Sequence, residues 1–220
     1  MTSSTPAPVP SSASLTERRK AATRMEIARA AARLFVSRGL KATRAEDIAG
    51  AAGIAPRTFY RYFATKEEAV APLYAEGARR WADAVRDAPP ELPLPQALEH
   101  AVRHTLTPGE GVSAASWEWA RTLIRLAASS PALGKVWAEV CHTSEETLAQ
   151  ILRERRAGTP EHDDTTGLTA DERFTAAVAD AAVRVAVESW SRGDQPPTGP
   201  QGPAELALRN LEKLRGAGWE

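Results

Sequence analysis

The sequence predicts an all-α fold of about nine helices. Apolar residues recur at helical spacing along most of the chain, as in Ile27, Ala31, Leu34 and Phe35. No segment alternates apolar and polar residues for long, as a half-buried strand would. Clusters of proline and glycine interrupt the helical segments. The chain is therefore expected to be a series of helices joined by turns.

Composition indicates a globular protein that needs no disulfide bonds. The 220 residues are 43% hydrophobic and 25% charged, and there is one cysteine, Cys141. No run approaches the roughly 20 apolar residues of a membrane span. Residues 1–16 carry no charge and consist mostly of Ser, Thr, Pro and Ala. We expect them to form a disordered tail rather than a secretory signal, and we expect a cytoplasmic protein.

Charge divides the rest of the chain into a basic and an acidic part. Residues 17–66 hold twelve basic and four acidic residues, a net charge of +8, and residues 67–220 balance this with −8. A basic segment joined to an acidic body is typical of a protein that meets a polyanion at one end. A solvated basic helix face is the alternative. The expected domains are 17–66 and 67–220.

Three helices are predicted in the basic segment. The first runs from about Leu15 to Arg38 and ends at Gly39. Thr43 and Glu46 match a capping box that starts the second helix, which ends at Gly53. Pro56 suits the first turn of the third helix, about Pro56 to Tyr62.

The second and third helices form a candidate helix-turn-helix. Small residues surround the turn at Gly53, as a close helix crossing requires. The third helix then shows residues that suit a DNA groove, because arginine bonds guanine or phosphate and hydroxyls bond phosphate: Arg57, Thr58, Tyr60, Arg61 and Tyr62. Phe59 and Phe63 are four residues apart and are interpreted as core. Lys66 is placed for a backbone phosphate.

Six further helices are predicted in the acidic segment. Thr65 caps the fourth, which ends near Arg86, and a stiff proline-rich connector covers residues 89–95. The next helices are expected at about 96–106, 114–128 and from Pro131 onwards. The last two are expected at about 170–192 and 204–215. A mobile loop is predicted at 157–169.

Residues 23–70 resemble the DNA-binding domain of the TetR family of regulators. The resemblance lies in Ile27–Phe35, Gly39, Thr43, Ile48-Ala49, Ala52-Gly53-Ile54, Thr58-Phe59-Tyr60-Arg61-Tyr62-Phe63 and Lys66-Glu67. It implies a homodimer that binds operator DNA through a three-helix head. It also implies a helical body that binds a small ligand and dimerises through the last two helices. The DNA contacts carried over are Thr43, Arg44, Arg57, Thr58, Tyr60, Arg61, Tyr62 and Lys66.

Aromatic residues and the one cysteine of the acidic segment are the candidate ligand contacts. The candidates for an apolar or amphipathic ligand are Trp81, Trp117, Trp119, Trp137 and Cys141, with ordinary core packing as the alternative for each tryptophan. Cys141-His142 and the His100, His104 pair give only weak metal patterns, so we expect no metal and no cofactor.

The function indicated by the resemblance is a ligand-responsive regulator, by the family's usual mode a repressor that the ligand releases from its operator. A transcriptional activator of the same fold is the alternative. An all-helical enzyme and a dimerisation scaffold without DNA binding are further alternatives. The sequence shows no Ser/His/Asp set, Gly-rich phosphate loop or metal-spaced carboxylate pair that an enzyme would use.

Overall fold

The computed structural model describes residues 14–109, 114–157 and 167–215. Within these ranges it contains nine α-helices, one 3₁₀ turn at Glu68–Val70 and no strand, which confirms the all-α prediction. The helices are α1 (Leu15–Arg38), α2 (Ala45–Ala51), α3 (Pro56–Tyr62), α4 (Ala71–Asp87), α5 (Leu94–Leu106), α6 (Ala114–Ser129), α7 (Pro131–Ala157), α8 (Ala170–Arg192) and α9 (Pro203–Arg215). None of the described helices is long and apolar enough to cross a membrane.

The chain divides into two compact units, a head that ends at Pro72 and a body that begins at Leu73. The sequence analysis placed this boundary after Lys66. It assigned Leu15 and Thr16 both to the disordered tail and to the first helix, and the structure has both in the first turn of α1. The Ser14 hydroxyl accepts the Glu17 N–H at 3.2 Å, which caps the helix at this point. Residues 1–13 of the predicted tail lie outside the described residues.

The head is built on an apolar core shared by its three helices. Ile27 and Phe35 of α1, Ile48 of α2 and Phe59 of α3 are all buried. α1 packs against α2 and against the 3₁₀ turn, and α2 packs against α3. At the end of α1, Gly39 has a φ of 82° and donates its N–H to the Phe35 carbonyl, as the sequence analysis predicted for a glycine cap.

The body is a layered bundle of α4 to α9. α7 packs on α8 and α8 on α9, while α6 contacts both α7 and α8. Its core combines small residues of α8 with large apolar ones from the other helices, including Trp81, Leu98, Leu148 and Leu152. Thr169 and Glu172 form a reciprocal cap at the start of α8, with bonds of 3.1 and 2.7 Å.

Two helix boundaries differ from the predicted ones because of proline. α5 begins at Leu94, inside the predicted connector, since Pro93 takes the N-cap position and Pro95 falls in the first turn. Proline costs nothing there because its missing N–H would have no helical partner. α9 begins at Pro203 for the same reason. Most of the predicted loop at 157–169 lies outside the described residues.

The end of α4 is held by an arginine from α7. The Arg155 guanidinium donates to the carbonyls of Val85, Arg86, Ala88 and Pro89 at 2.7 to 3.4 Å. These carbonyls lie at and just beyond the C-terminus of α4, where no helical donor follows. A side chain far along the chain therefore takes the place of a local cap.

Candidate nucleic-acid interface and interior site

The turn between α2 and α3 depends on Gly53. Its φ is 69°, in the left-handed region that side chains disfavour. Its N–H donates to Gly50, and the Ile54 N–H donates back to Ala49 at 3.0 Å. Pro56 then occupies the first turn of α3. Glycine and proline thus set the angle at which α3 leaves α2.

Two buried phenylalanines fix which side of α3 faces outwards. Phe59 is fully buried and Phe63 is 3% exposed, with ring centroids 5.9 Å apart. Their interpretation as core residues is confirmed. The opposite side of α3 presents Arg57, Tyr60 and Arg61 to solvent.

The exposed side of α3 carries most of the predicted DNA contacts, which we call the reading face: Arg57, Thr58, Tyr60, Arg61 and Tyr62. Thr58 and Tyr62 are half-buried, while Tyr60 is 52% exposed. The Tyr60 ring stands edge-on to Phe59 at 5.4 Å, so packing restrains it. The Arg61 guanidinium lies 5.5 Å from the Tyr62 ring centroid. All five residues of the reading face lie within the seven residues of α3.

The sequence analysis preferred Glu46 as a cap of α2. In the structure, Glu46 lies beside the reading face instead. Its carboxylate is 3.5 Å from the Tyr60 hydroxyl. The cap of α2 comes instead from Asp47, whose carboxylate accepts the Arg44 N–H at 2.9 Å. The predicted capping box was therefore misplaced by one residue. Arg44 itself is exposed beside α2 and stays a predicted DNA contact.

Thr43 is a correction to the predicted site. The structure buries it completely, and its hydroxyl donates to the Gly39 carbonyl at 2.9 Å. Because α2 starts one residue later than predicted, the Thr43 side chain turns back towards the end of α1. It therefore neither caps α2 nor offers its hydroxyl to a phosphate.

Lys66 joins two loops of the head. Its ammonium donates to the carbonyls of Leu40 and Thr43 at 2.7 and 2.8 Å, and the side chain is 24% exposed. Two of its three N–H groups are thus occupied. The prediction that Lys66 contacts phosphate depends on the remaining one.

Arg24 belongs to the surroundings of α3, although the sequence analysis did not single it out. Its guanidinium donates to the Tyr62 carbonyl at 3.1 Å and lies 4.6 Å from the Phe63 ring centroid. No pattern in the sequence joins these residues, because they are 38 positions apart. Only the packing of α1 beside α3 reveals the contact.

The predicted ligand residues are spread over the body. Trp81 and Trp117 are buried in the core, and Trp117 stands edge-on to Trp190 at 5.4 Å. Trp119 is 37% exposed, so the two tryptophans of α6 face different ways, as their spacing predicted. This arrangement does not gather all the predicted residues at one place.

Trp137 and Cys141 lie one turn apart on α7. Trp137 is half-buried, donates its Nε1–H to Glu188 at 2.7 Å and stands edge-on to Tyr74 at 5.1 Å. Tyr74 donates its hydroxyl to the Leu123 carbonyl at 2.9 Å, and burial raises its pKa. Burial also raises the pKa of Cys141 to about 12, which keeps the thiol protonated.

Asp180 of α8 is a buried carboxylate close to these residues. It is 5% exposed, and it accepts the Ser144 hydroxyl at 2.9 Å. Burial raises its pKa to about 6, against the opposing effect of the hydrogen bond from Ser144. The nearby Arg184 is paired with Glu188 at 3.5 Å. Within the described residues, no group of three or more side chains is arranged to hold a metal ion.

Comparison with known proteins first identifies the head. Residues 27–71 match the family model described as bacterial regulatory proteins of the tetR family. The transcriptional regulator TcmR of Streptomyces glaucescens, described as HTH-type, is 34% identical over 192 residues, which cover 82% of this chain and 78% of that protein.

Solved structures share the fold over most of the chain. Thermus thermophilus FadR, a TetR-family repressor solved with lauroyl-CoA, is 25% identical and has a TM-score of 0.57; the match covers 87% of this chain and 93% of that one. AlkX of Dietzia, a TetR-family repressor implicated in biodegradation of n-alkanes, is 19% identical with a TM-score of 0.53, over 87% and 95% of the two chains.

Proposed function

Because this chain belongs to the TetR family of bacterial regulatory proteins and is a ligand-responsive, DNA-binding transcriptional regulator, we propose that it represses transcription as a homodimer and that a ligand releases it from DNA. The family consists of regulators rather than enzymes. We place its action in the cytoplasm, on double-stranded operator DNA. The half-sites would lie about one helical turn apart, roughly 34–36 Å, so that both heads meet the major groove on one side.

The reading face of α3 is the observation that carries the DNA-binding assignment. Arg57, Tyr60 and Arg61 are exposed on the side of α3 that lies opposite the buried Phe59. The buried Phe59 prevents this short helix from rotating about its axis, so its exposed side chains keep one orientation. Thr58, Tyr62, Arg44 and Lys66 surround it as further proposed contacts.

The test is binding to duplexes that the wild-type protein selects from random-sequence DNA. Arg57→Ala should weaken binding by about 1–3 kcal/mol, or about five- to 150-fold, and relax the preferred sequence. Tyr60→Ala should weaken it as well. Arg33→Ala is the matched control, since Arg33 is an exposed arginine of α1 outside the reading face. Unchanged affinity for both α3 variants would show that α3 does not read the DNA.

We propose that α8 and α9 form the dimer interface. α8 has an apolar stripe with a spacing that returns to one face: Phe174, Val178, Ala181 and Val185. Phe174 is 60% exposed and Val185 is 44% exposed, which is unusual for side chains of this size. On α9, Leu206 and Leu214 are only partly buried. A second copy of the chain would remove these side chains from water.

Oligomeric state tests this interface directly. Phe174→Glu/Val185→Glu should convert a dimer to a monomer in sedimentation or light scattering, and it should weaken operator binding because the two heads are no longer joined. Ala138→Glu/Gln150→Glu, at two exposed positions of α7, adds the same charge elsewhere. A dimer that survives the α8 variant and not the α7 variant would refute the assignment.

We propose that the ligand is an apolar or amphipathic small molecule bound in the body. The aromatic pair Tyr74 and Trp137, with Cys141 one turn further along α7, supports this chemistry. Trp81, Trp117 and Trp119 remain proposed contacts. The ligand must bind the DNA-free state more tightly than the DNA-bound state, since equal affinity would shift nothing.

Release from DNA tests the ligand proposal. We would titrate the protein–DNA complex with lauroyl-CoA and with flat aromatic compounds, and follow tryptophan fluorescence. The expected result is loss of DNA binding with a fluorescence change that Trp137→Phe reduces. Binding of such compounds without release would contradict the regulatory role. In cells, a repressor predicts that deletion of the gene raises target transcription, and an activator predicts the opposite.

A further inference from the structure

The first turns of α1 form a largely exposed helical projection from the head. Ser14 caps this segment, residues 15–26, which we call the basic arm. Ten of its twelve residues are exposed, and Ile27 is the first buried residue of α1. The tetR-family match also begins at residue 27, so the basic arm lies outside the matched region.

An exposed helix of this length gains little stability from its own hydrogen bonds. The arm continues the 24-residue α1, and none of its residues before Ile27 is buried to add packing to its hydrogen bonds. The arm has one Lys20–Glu17 ion pair at 3.1 Å between exposed side chains, which contributes little. A binding partner on the surface of the arm would add stability that the core of the head does not provide.

The charges of the basic arm point to an anionic partner. Arg18 and Arg19 are exposed, and neither side chain makes a hydrogen bond or ion pair within the described part of the chain. Lys20 follows them, so three consecutive cations cover more than half of the helix circumference at about 100° each. A surface that approaches the helix from most sides therefore meets at least one cation.

Arg24 fixes the basic arm beside the reading face. It bonds the Tyr62 carbonyl at the end of α3 and lies over Phe63. Lys20 lies one turn before Arg24 on the same helix face. At 1.5 Å per residue, Arg18 and Arg19 are about 8–9 Å beyond Arg24 along the α1 axis. Whatever α3 binds therefore comes close to these cations.

We propose that the basic arm binds DNA phosphates that flank the groove occupied by α3, independently of sequence. The inference rests on the proposed function, and it adds a second contact surface with a different role. The reading face would select the sequence, while the arm would add affinity for any duplex. Arginine and lysine are the usual partners of the phosphate backbone, and such contacts carry no base information.

Salt dependence is the measurement that separates these roles. We would measure the dissociation constant at several salt concentrations for the selected duplex and for a scrambled duplex. Arg18→Ala/Arg19→Ala should reduce the slope of log affinity against log salt by about 1–2, since each phosphate contact contributes about 0.9. It should weaken both duplexes by a similar factor. Arg18→Lys/Arg19→Lys should keep the slope.

The control variant is Arg33→Ala/Arg192→Ala, which removes the same charge from exposed positions outside the arm. It should leave the slope unchanged. Circular dichroism checks that the arm variant is folded, and Arg18→Gln/Arg19→Gln provides a second neutral pair.

An unchanged slope with wild-type operator binding would overturn the proposal for the arm alone. If the wild-type protein binds no duplex, the proposed function fails instead. A slope change confined to the selected duplex would overturn the sequence-independent role.

Discussion

Among the described residues, the head buries far fewer polar side chains than the body does. Among the described residues of the head, Thr43 is the one buried polar side chain, and its hydroxyl is bonded to Gly39. The body buries six such side chains, including Arg121, Glu172 and Asp180. Asp180 has a raised pKa because burial outweighs the hydrogen bond from Ser144. The head thus keeps its charges for the surface, while the body places some of them inside.

This difference in buried polar groups matches the different tasks of the two units. A DNA-reading head needs a rigid core under a polar face, and charges inside it would only cost stability. A body that recognises a small molecule needs polar groups in its interior, even at a cost. Truncating a core side chain of the head should therefore destabilise it, whereas neutralising a buried charge of the body should stabilise it. The tryptophans help to test this, because all six follow Leu73 and report the body alone.

Phe59→Ala should have the largest effect on the comparison. Phe59 is fully buried in the head, and removing a buried phenylalanine ring costs about 3–5 kcal/mol. Hydrogen exchange of amides in α1 to α3 should lose protection, while the tryptophan unfolding transition stays in place. Tyr60→Phe keeps the exposed ring and serves as control. A tryptophan transition that shifts equally would show that the two units unfold together.

Asp180→Asn should stabilise the body. A carboxyl whose pKa rises from 3.8 to about 6 on folding disfavours the folded state at neutral pH by about 3 kcal/mol, because the folded state holds the proton more tightly. Wild-type stability should therefore fall as pH rises from about 4 to 6, and then level off. The variant should lack this fall and be more stable at pH 7, since the asparagine oxygen still accepts from Ser144.

Tryptophan-monitored denaturation at several pH values measures this effect. Asp87→Asn is the control, because Asp87 is exposed at the end of α4. If Asp180→Asn destabilises the body at every pH, the ionised carboxylate contributes to stability, and the contrast with the head is lost.

Lys66→Met should destabilise the head by about 2 kcal/mol. The ammonium bonds two carbonyls, and each hydrogen bond from a charged group contributes about 1.5–3 kcal/mol before the gain from the apolar replacement is counted. Lys66→Arg should not restore it, because a planar guanidinium cannot reproduce the geometry. Hydrogen exchange in α2 is the readout, and exposed Lys41→Met is the control. Weaker DNA binding at unchanged head stability would assign Lys66 to phosphate instead.

Gly53→Ala and Gly50→Ala should have the smallest effects, of opposite sign. Neither position has an atom within 4 Å of an added Cβ, so backbone conformation decides. Gly53 has a positive φ, and alanine there costs about 1–2 kcal/mol. Gly50 lies in α2, where alanine gains about 1 kcal/mol. Thermal denaturation of the pair measures both, and equal shifts would show that the turn tolerates a side chain.

Local signals predicted several elements to the residue. The bounds of α1, α3 and α8 agree with the sequence analysis, because Gly39, Pro56 and Thr169 act on the residues beside them. The reading face could be predicted for the same reason, since Phe59 and Phe63 repeat at helical spacing.

Features that depend on distant contacts could not be predicted. Thr43 and Asp47 both suit a cap, and only packing against the end of α1 decides between them. Asp180 gives a weak signal, a charge within a run of alanine and valine in a helix that is apolar on several sides. Arg24 gives none, because its partner is 38 positions away.

Arg155 has a consequence for how this protein can vary. It holds the end of α4 from 66 to 70 positions away, through main-chain carbonyls alone. Every amino acid supplies a carbonyl, so these bonds leave the identities of Arg86 and Pro89 free to vary, whereas burial constrains Val85 and Ala88. The contact itself requires a particular side chain only at position 155. In a set of relatives, positions 86 and 89 should vary while the arginine at position 155 stays constant.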